Sequence, residues 1–172
     1  MNPGVSVAFR YGLVVLTAMV VQRGLFGELR FDGAAPDALL IVAVAAGIAG
    51  GAERGAVVGF VCGIALDLML PSPFGLAALS YMVAGLSVGL LRSADRRSAR
   101  WRVIALSGFG CALGVSVFAL AGVLLGQSGY LTGHLVVIVL VVAVSGAVLA
   151  LPAVRVCRWA EADTDHYRPA LR

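Results

Sequence analysis

Asp67 is the side chain in this sequence best placed to do chemistry. It closes a long apolar run in Ile64-Ala65-Leu66-Asp67-Leu68-Met69-Leu70, just ahead of Pro71-Ser72-Pro73-Phe74-Gly75-Leu76. An ionisable group at such a place is costly in a bilayer and needs a reason, either a proton or ion site or a structural one. A proton or ion site wants a second charged partner inside a span, and no apolar run carries one at its middle. The structural reading is electrostatic. At the C-terminal end of a helix a carboxylate is repelled by that helix's own dipole, so a positive end must lie close by. Pro71 and Pro73 supply one by starting the next helix at once, which turns the free N–H groups around Phe74 to Leu76 towards the carboxylate. A cap is the leading reading of Asp67, and the proton or ion site stands beside it as the rival.

The other reactive side chains have simpler explanations. Asp37 follows Pro36 in the first turn of a helix, where proline loses no hydrogen bond and the carboxylate meets the positive helix end. Cys62 and Cys111 lie inside apolar runs and Cys157 in the C-terminal tail. Three cysteines without metal-ligand spacing point to soft packing residues, not to disulfides or zinc. His134 opens the last apolar run and His166 lies in the tail. With no carboxylate dyad, His cluster, nucleophile–base set or phosphate-cradling loop, neither catalysis nor a metal or cofactor is expected. Gly55, Gly59 and Gly63 recur every fourth residue and share one helix face, which lets a second helix approach closely. That helix is either another one of this chain or a partner's. Gly85 with Gly89, and Gly110 with Gly114, repeat the spacing.

These residues must be positioned by elements that live in lipid. The chain has 172 residues, 60% hydrophobic and 13% charged, with a mean hydropathy of +0.98, where soluble domains carry about 25% charged residues. Six apolar runs, at 5–21, 36–50, 55–70, 74–91, 103–125 and 131–154, predict an all-α, polytopic integral membrane domain over residues 1–158 with six transmembrane helices. No small-x-small cleavage site follows Val21, so the first run reads as an uncleaved span. The second and third runs are short for a crossing and need protein neighbours, flanking polar groups or a thinned bilayer; a re-entrant hairpin is the alternative. Residues 159–172 are expected to form a short, disordered cytoplasmic tail.

All thirteen basic residues are arginines. Arg92, Arg96, Arg97, Arg100 and Arg102 stand against Asp95 alone between the fourth and fifth runs, and basic residues flanking spans are retained in the cytoplasm. Six crossings then put eleven of the thirteen arginines inside, leaving Arg23 and Arg30 outside, with both termini cytoplasmic. Trp101 and Trp159 fall where interfacial aromatics belong. The net charge of +4 reflects arginines facing anionic headgroups, so membrane lipids and not nucleic acid are the expected contacts. The basic loop is either a solvated face or a docking surface for an acidic partner.

From Pro36 to Leu91 the sequence resembles the rod shape-determining protein MreD family. The resemblance rests on Pro36-Asp37-Ala38-Leu39-Leu40 at a helix start and on the Gly-rich third run ending in Asp67-Leu68. It rests above all on Pro73-Phe74-Gly75-Leu76, continuing to Ser80-Tyr81, with Gln22 closing the first run. Such a resemblance implies a non-enzymatic membrane subunit of the bacterial elongation machinery in the cytoplasmic (inner) membrane. It implies association with MreC, and through it with MreB, RodA and a class B penicillin-binding protein. It also implies a fold like the substrate-binding subunits of energy-coupling-factor transporters. Asp37, Gly55, Gly59, Gly63, Asp67, Pro71, Pro73 and Gly75 are the candidate structural or partner-facing positions. The chain departs from the family pattern in its very basic 92–102 segment and its uncharged 126–133 segment. A scaffold for cell-wall synthesis is therefore the leading function. A transporter subunit that binds a small vitamin between its helices is the alternative, although the runs offer few convergent polar groups for a ligand.

Overall fold

A glycine joins two of the helices directly, and the bundle is organised around that hairpin. The structure, a computed structural model, describes residues 3–24, 36–69, 75–94, 100–126 and 134–162. Among them are six helices and no strand: α1 (Pro3–Gly24), α2 (Ala38–Gly50), α3 (Ala52–Asp67), α4 (Leu76–Ala94), α5 (Arg100–Leu124) and α6 (His134–Glu161). Gly51, between α2 and α3, has φ +88°, a region in which a Cβ is disfavoured. Its N–H donates to Gly47 O at 3.0 Å and its carbonyl accepts from Gly55 N at 2.9 Å, so one residue ends one helix and opens the next.

The core sits on α2. This helix is composed of Ala, Leu, Ile, Val and Gly alone and packs against each of the other five. Leu39, Leu40, Val44 and Ile48 are fully buried. At 1.5 Å per residue its 13 residues reach about 20 Å, against a hydrocarbon core of about 30 Å. The short helix is enclosed by protein, since it packs against all five of the others. The most extensive helix pair is α3 with α4, followed by α5 with α6.

The outward faces are apolar. Phe9, Leu16 and Val20 on α1, and Leu140, Val144 and Val148 on α6, are more than half exposed. Contiguous apolar exposure of this kind marks a surface made for a non-aqueous solvent. Three helical stretches, Ser6–Gly24, Arg100–Leu124 and Leu135–Glu161, are long and apolar enough to cross a membrane, while Ala38–Gly50 and Leu76–Arg92 are shorter apolar helices.

Helix ends differ from the apolar runs in ways that have physical causes. The last helix continues past Val154 to Glu161, so residues 159–161, expected in a disordered tail, are helical. They are held there by polar contacts between distant helices. Arg100 and Arg102 lie in the first turn of α5 and Arg92 in the last turn of α4, so three members of the expected basic loop extend the helices on either side of it. Arg96 and Arg97 lie outside the described residues, as do Pro71 and Pro73. The third helix spans Ala52–Asp67, not 55–70, because Gly51 starts it and Asp67 ends it. Asp37 is not in the first turn of α2 but caps it, and the helix begins at Ala38.

Candidate functional site

Two polar layers tie the bundle, one at each end of the α2–α3 hairpin, with a seam of small residues between them. At the end where α2 begins and α3 finishes, Asp67 is 2% exposed. Its Oδ2 accepts from Gly75 N at 3.0 Å and Ala78 N at 3.2 Å, and its Oδ1 from Ala77 N at 3.2 Å. The carboxylate closing α3 therefore takes up the orphan N–H groups that open α4, which would otherwise be buried without partners. Gly75 falls within the expected Phe74 to Leu76 segment, while Ala77 and Ala78 extend the set of donors beyond it; Gly75 turns the chain there with φ +99°. Its carbonyl then accepts the first bond of α4, from Leu79 N at 3.0 Å.

A second carboxylate does the same for α2. Asp37 Oδ1 accepts from Leu39 N and Leu40 N, both at 3.1 Å, while the Tyr81 hydroxyl on α4 donates to its Oδ2. Gln22 on α1 completes this layer. Its Oε1 accepts from Ala38 N at 2.7 Å and its Nε2 donates to Pro36 O at 3.3 Å. One side-chain amide thereby satisfies both polar groups of the backbone around Asp37 and fixes the end of α1 to the start of α2.

Gly55, Gly59 and Gly63 do not present a free groove. A Cβ added to any of them would meet the backbone of α4 at less than 3 Å, at Gly85, Tyr81 and Ala77–Ala78 respectively. Gly85 and Gly89 answer from α4, facing Gly55 and Ala52. The seam is filled by the chain itself, so this face holds no place for a partner helix. Gly110 and Gly114 of α5 instead receive the side chains of Val44, Val88 and Leu40, and Ser107 Oγ donates to Gly146 O at 2.9 Å between α5 and α6.

The opposite layer gathers charges that the sequence places far apart. Glu161 Oε1, on the last turn of α6, accepts from the Tyr11 hydroxyl at 2.9 Å, across 150 residues. It also pairs with Arg54 Nη1 at 3.8 Å. Arg10 lies over the Trp159 ring at 5.2 Å and donates to Trp159 O at 3.3 Å. Arg92 closes the end of α2 by donating to Ala49 O at 2.8 Å, the cationic complement of a helix C-terminus. Arg102 lies over Trp101 at 5.4 Å.

A family model described as rod shape-determining protein MreD matches residues 5–144. The chain belongs to the MreD family. No curated protein and no solved structure matches it. The matched range takes in Asp37, Tyr81, Asp67 and the glycine seam. Trp159 and Glu161 of this MreD family member lie beyond it.

In the sequence Tyr81 and Gln22 stand out through the family pattern, and nothing there groups Tyr11 with Arg54 and Glu161. Tyr81 carried a usable signal, since a phenol in an apolar helix seeks an acceptor. Glu161 carried none, because its partners on α1 and α3 are set by tertiary packing. Among the described residues no group of three metal-ligating side chains converges.

Proposed function

We propose that this member of the family of rod shape-determining membrane proteins serves rod shape determination as a non-enzymatic scaffold of the elongation machinery, binding MreC and through it MreB, RodA and a class B penicillin-binding protein. The observation that carries this reading is the family match across residues 5–144, supported by how the polar groups are used. Asp67, Asp37 and Glu161 all join one helix to another, which is the economy of a rigid platform.

In this reading the six helices are six crossings of the bacterial inner membrane with both termini in the cytoplasm, and the arginine-bearing ends of α4 and α5 face inward. The likeness to the substrate-binding subunits of energy-coupling-factor transporters belongs to the same proposal. Among the described residues, two clefts are walled almost wholly by apolar side chains and offer few polar groups to orient a vitamin, which does not favour the transporter alternative.

Depletion in a rod-shaped host tests the role. Cells are expected to widen and round, and affinity purification of the full chain in mild detergent is expected to recover MreC. Unchanged cell width together with no recovered MreC would refute the scaffold. Rounding without MreC recovery would keep the shape role and remove the proposed partner.

A further inference from the structure

Exposed apolar side chains form belts of two heights around the bundle. Tryptophans apart, the lowest and highest large apolar side chains exposed on α6 are Val156 and Val136, about 30 Å apart along the helix. On α5 they are Ile104 and Leu124, again about 30 Å apart. These two belts match a hydrocarbon core of about 30 Å. On α1 the extremes are Phe9 and Val20, and on α3 with its cap they are Val57 and Leu68, about 17 Å in each case. On α4 they are Leu91 and Leu79, about 18 Å apart.

Both heights rise from one base. Arg54 of α3 pairs with Glu161 of α6, Arg10 of α1 donates to Trp159 O, and Arg92 of α4 donates to Ala49 O near the α2–α3 joint. The upper limits differ. Along α1 the next charge above Arg10 is the exposed Arg23, and above Arg54 α3 ends at Asp67, about 20 Å in both cases. The α5–α6 pair overtops that level. Gly114 of α5 receives the side chain of Leu40 in the first turn of α2, and α5 continues beyond it to Leu124, about 15 Å further. Ala38, which opens α2, lines a cleft with Leu149, and α6 reaches about 20 Å past Leu149 to Val136. Enclosure accounts for the shortness of α2, whereas α3 turns Val57, Phe60 and Val61 outward.

We propose that the bundle is a wedge in the bilayer, with lipid of full thickness along α5 and α6 and a collar thinned to about 20 Å along α1, α3 and α4. The lipid that fits the collar is a phospholipid with short or disordered chains. A bilayer of full height on this side would surround the exposed Arg23 with hydrocarbon, and headgroups and water drawn down to it remove that cost. The depression lies in the leaflet opposite the arginine-rich end, where the short helices stop first. The wedge rests on the reading of the helices as membrane crossings, and it gives the protein a direction within the plane of the membrane.

The chain length preferred by neighbouring lipid reads the two heights separately. In the full chain carrying Trp101→Phe and Trp159→Phe, a single tryptophan is placed near mid-belt by Phe60→Trp on α3 or Val144→Trp on α6, both exposed positions. Each variant that elutes as a monodisperse peak is reconstituted in dioleoyl phosphatidylcholine and titrated with brominated phosphatidylcholine bearing short myristoleoyl or long erucoyl chains. At Phe60→Trp, half-maximal quenching by the short lipid is expected at a mole fraction about threefold lower than by the long one, with no such preference at Val144→Trp. If Phe60→Trp fails to fold, Leu16→Trp on the exposed face of α1 reads the same collar. Arg23→Leu in the Leu16→Trp protein should at least halve the preference there, because it removes the charge at the upper edge. The same preference at both faces, or none at either, would mean a bilayer of even thickness and overturn the proposal. Quenching at Val144→Trp alone would mean that protein covers the short side, and would overturn it as well. Quenching at none of the three positions would overturn the crossings themselves, and the wedge with them.

Discussion

Asp67 shows how a carboxylate is made tolerable inside an apolar bundle. Its two oxygens receive three backbone N–H groups, and charge-assisted bonds of this kind are worth about 1.5–3 kcal/mol each before coupling. Removing the acceptor leaves the donors of α4 buried and unmet. Asp67→Ala is therefore expected to lower stability by about 2–4 kcal/mol, and Asp67→Asn by less because one carbonyl oxygen survives. Thermal unfolding of the detergent-purified protein measures both, and equal transitions for wild type and Asp67→Ala would exclude the cap as a source of stability. Tyr81→Phe deletes the phenol that donates to Asp37, at a cost of about 1 kcal/mol. The same variant in an Asp37→Ala background should cost almost nothing, which a double-mutant cycle detects.

At the scale of elements, the contrast between glycines is the sharpest test. Gly59 lies against the backbone of Tyr81, while a Cβ on Gly12 in α1 meets nothing within 4 Å. Gly59→Leu must push α3 and α4 apart and is expected to abolish the folded protein, seen as loss of a monodisperse peak in size-exclusion chromatography. Gly12→Ala fills empty space on an exposed helix face and should stabilise by about 0.5–1 kcal/mol. Much of this level was legible in the sequence. The fourfold glycine spacing marked a helix face, the Pro and Gly punctuation separated the helices, and Asp67 was readable as the end of one. What was not legible was the direction of each face. A Gly-x-x-x-Gly pattern says that backbones come close, but which helix answers depends on Gly85 and Gly89, whose own pattern looks the same. Helix ends were misplaced for a related reason. Apolar periodicity stops at Val154, whereas α6 continues because Glu161 finds Tyr11 and Arg54.

The molecule as a whole combines three long apolar helices with shorter ones clustered about α2. Both polar layers lie at helix ends, and the arginine-rich end is opposite the Asp67 turn. Impermeant maleimide labelling tests the resulting sidedness. Cys62, Cys111 and Cys157 are buried and are first replaced by Ala. Leu125→Cys, at the exposed end of α5, should then label in intact cells. Ala162→Cys, past the end of α6, should label only after permeabilisation, and the reverse pattern would invert the topology. The overall class was legible from composition because no soluble core hides 60% hydrophobic residues in 172. The tying of first and last helices through Glu161 was not, since it joins residues that no local pattern relates.

The single-residue joint at Gly51 also bears on how the protein is made. A helix of 13 residues followed at once by one bearing Glu53 and Arg54 in its first turn has little to gain from lipid by itself. Its backbone-to-backbone seam exists only once α4 has been synthesised. The nascent α2–α3 pair must therefore wait, shielded, until α4 is complete at Ala94 and can close over it. Released chains ending near Leu70 should leave Cys62 of α3 open to a membrane-permeant maleimide, and those extended past Ala94 should protect it, as it is buried in the complete bundle.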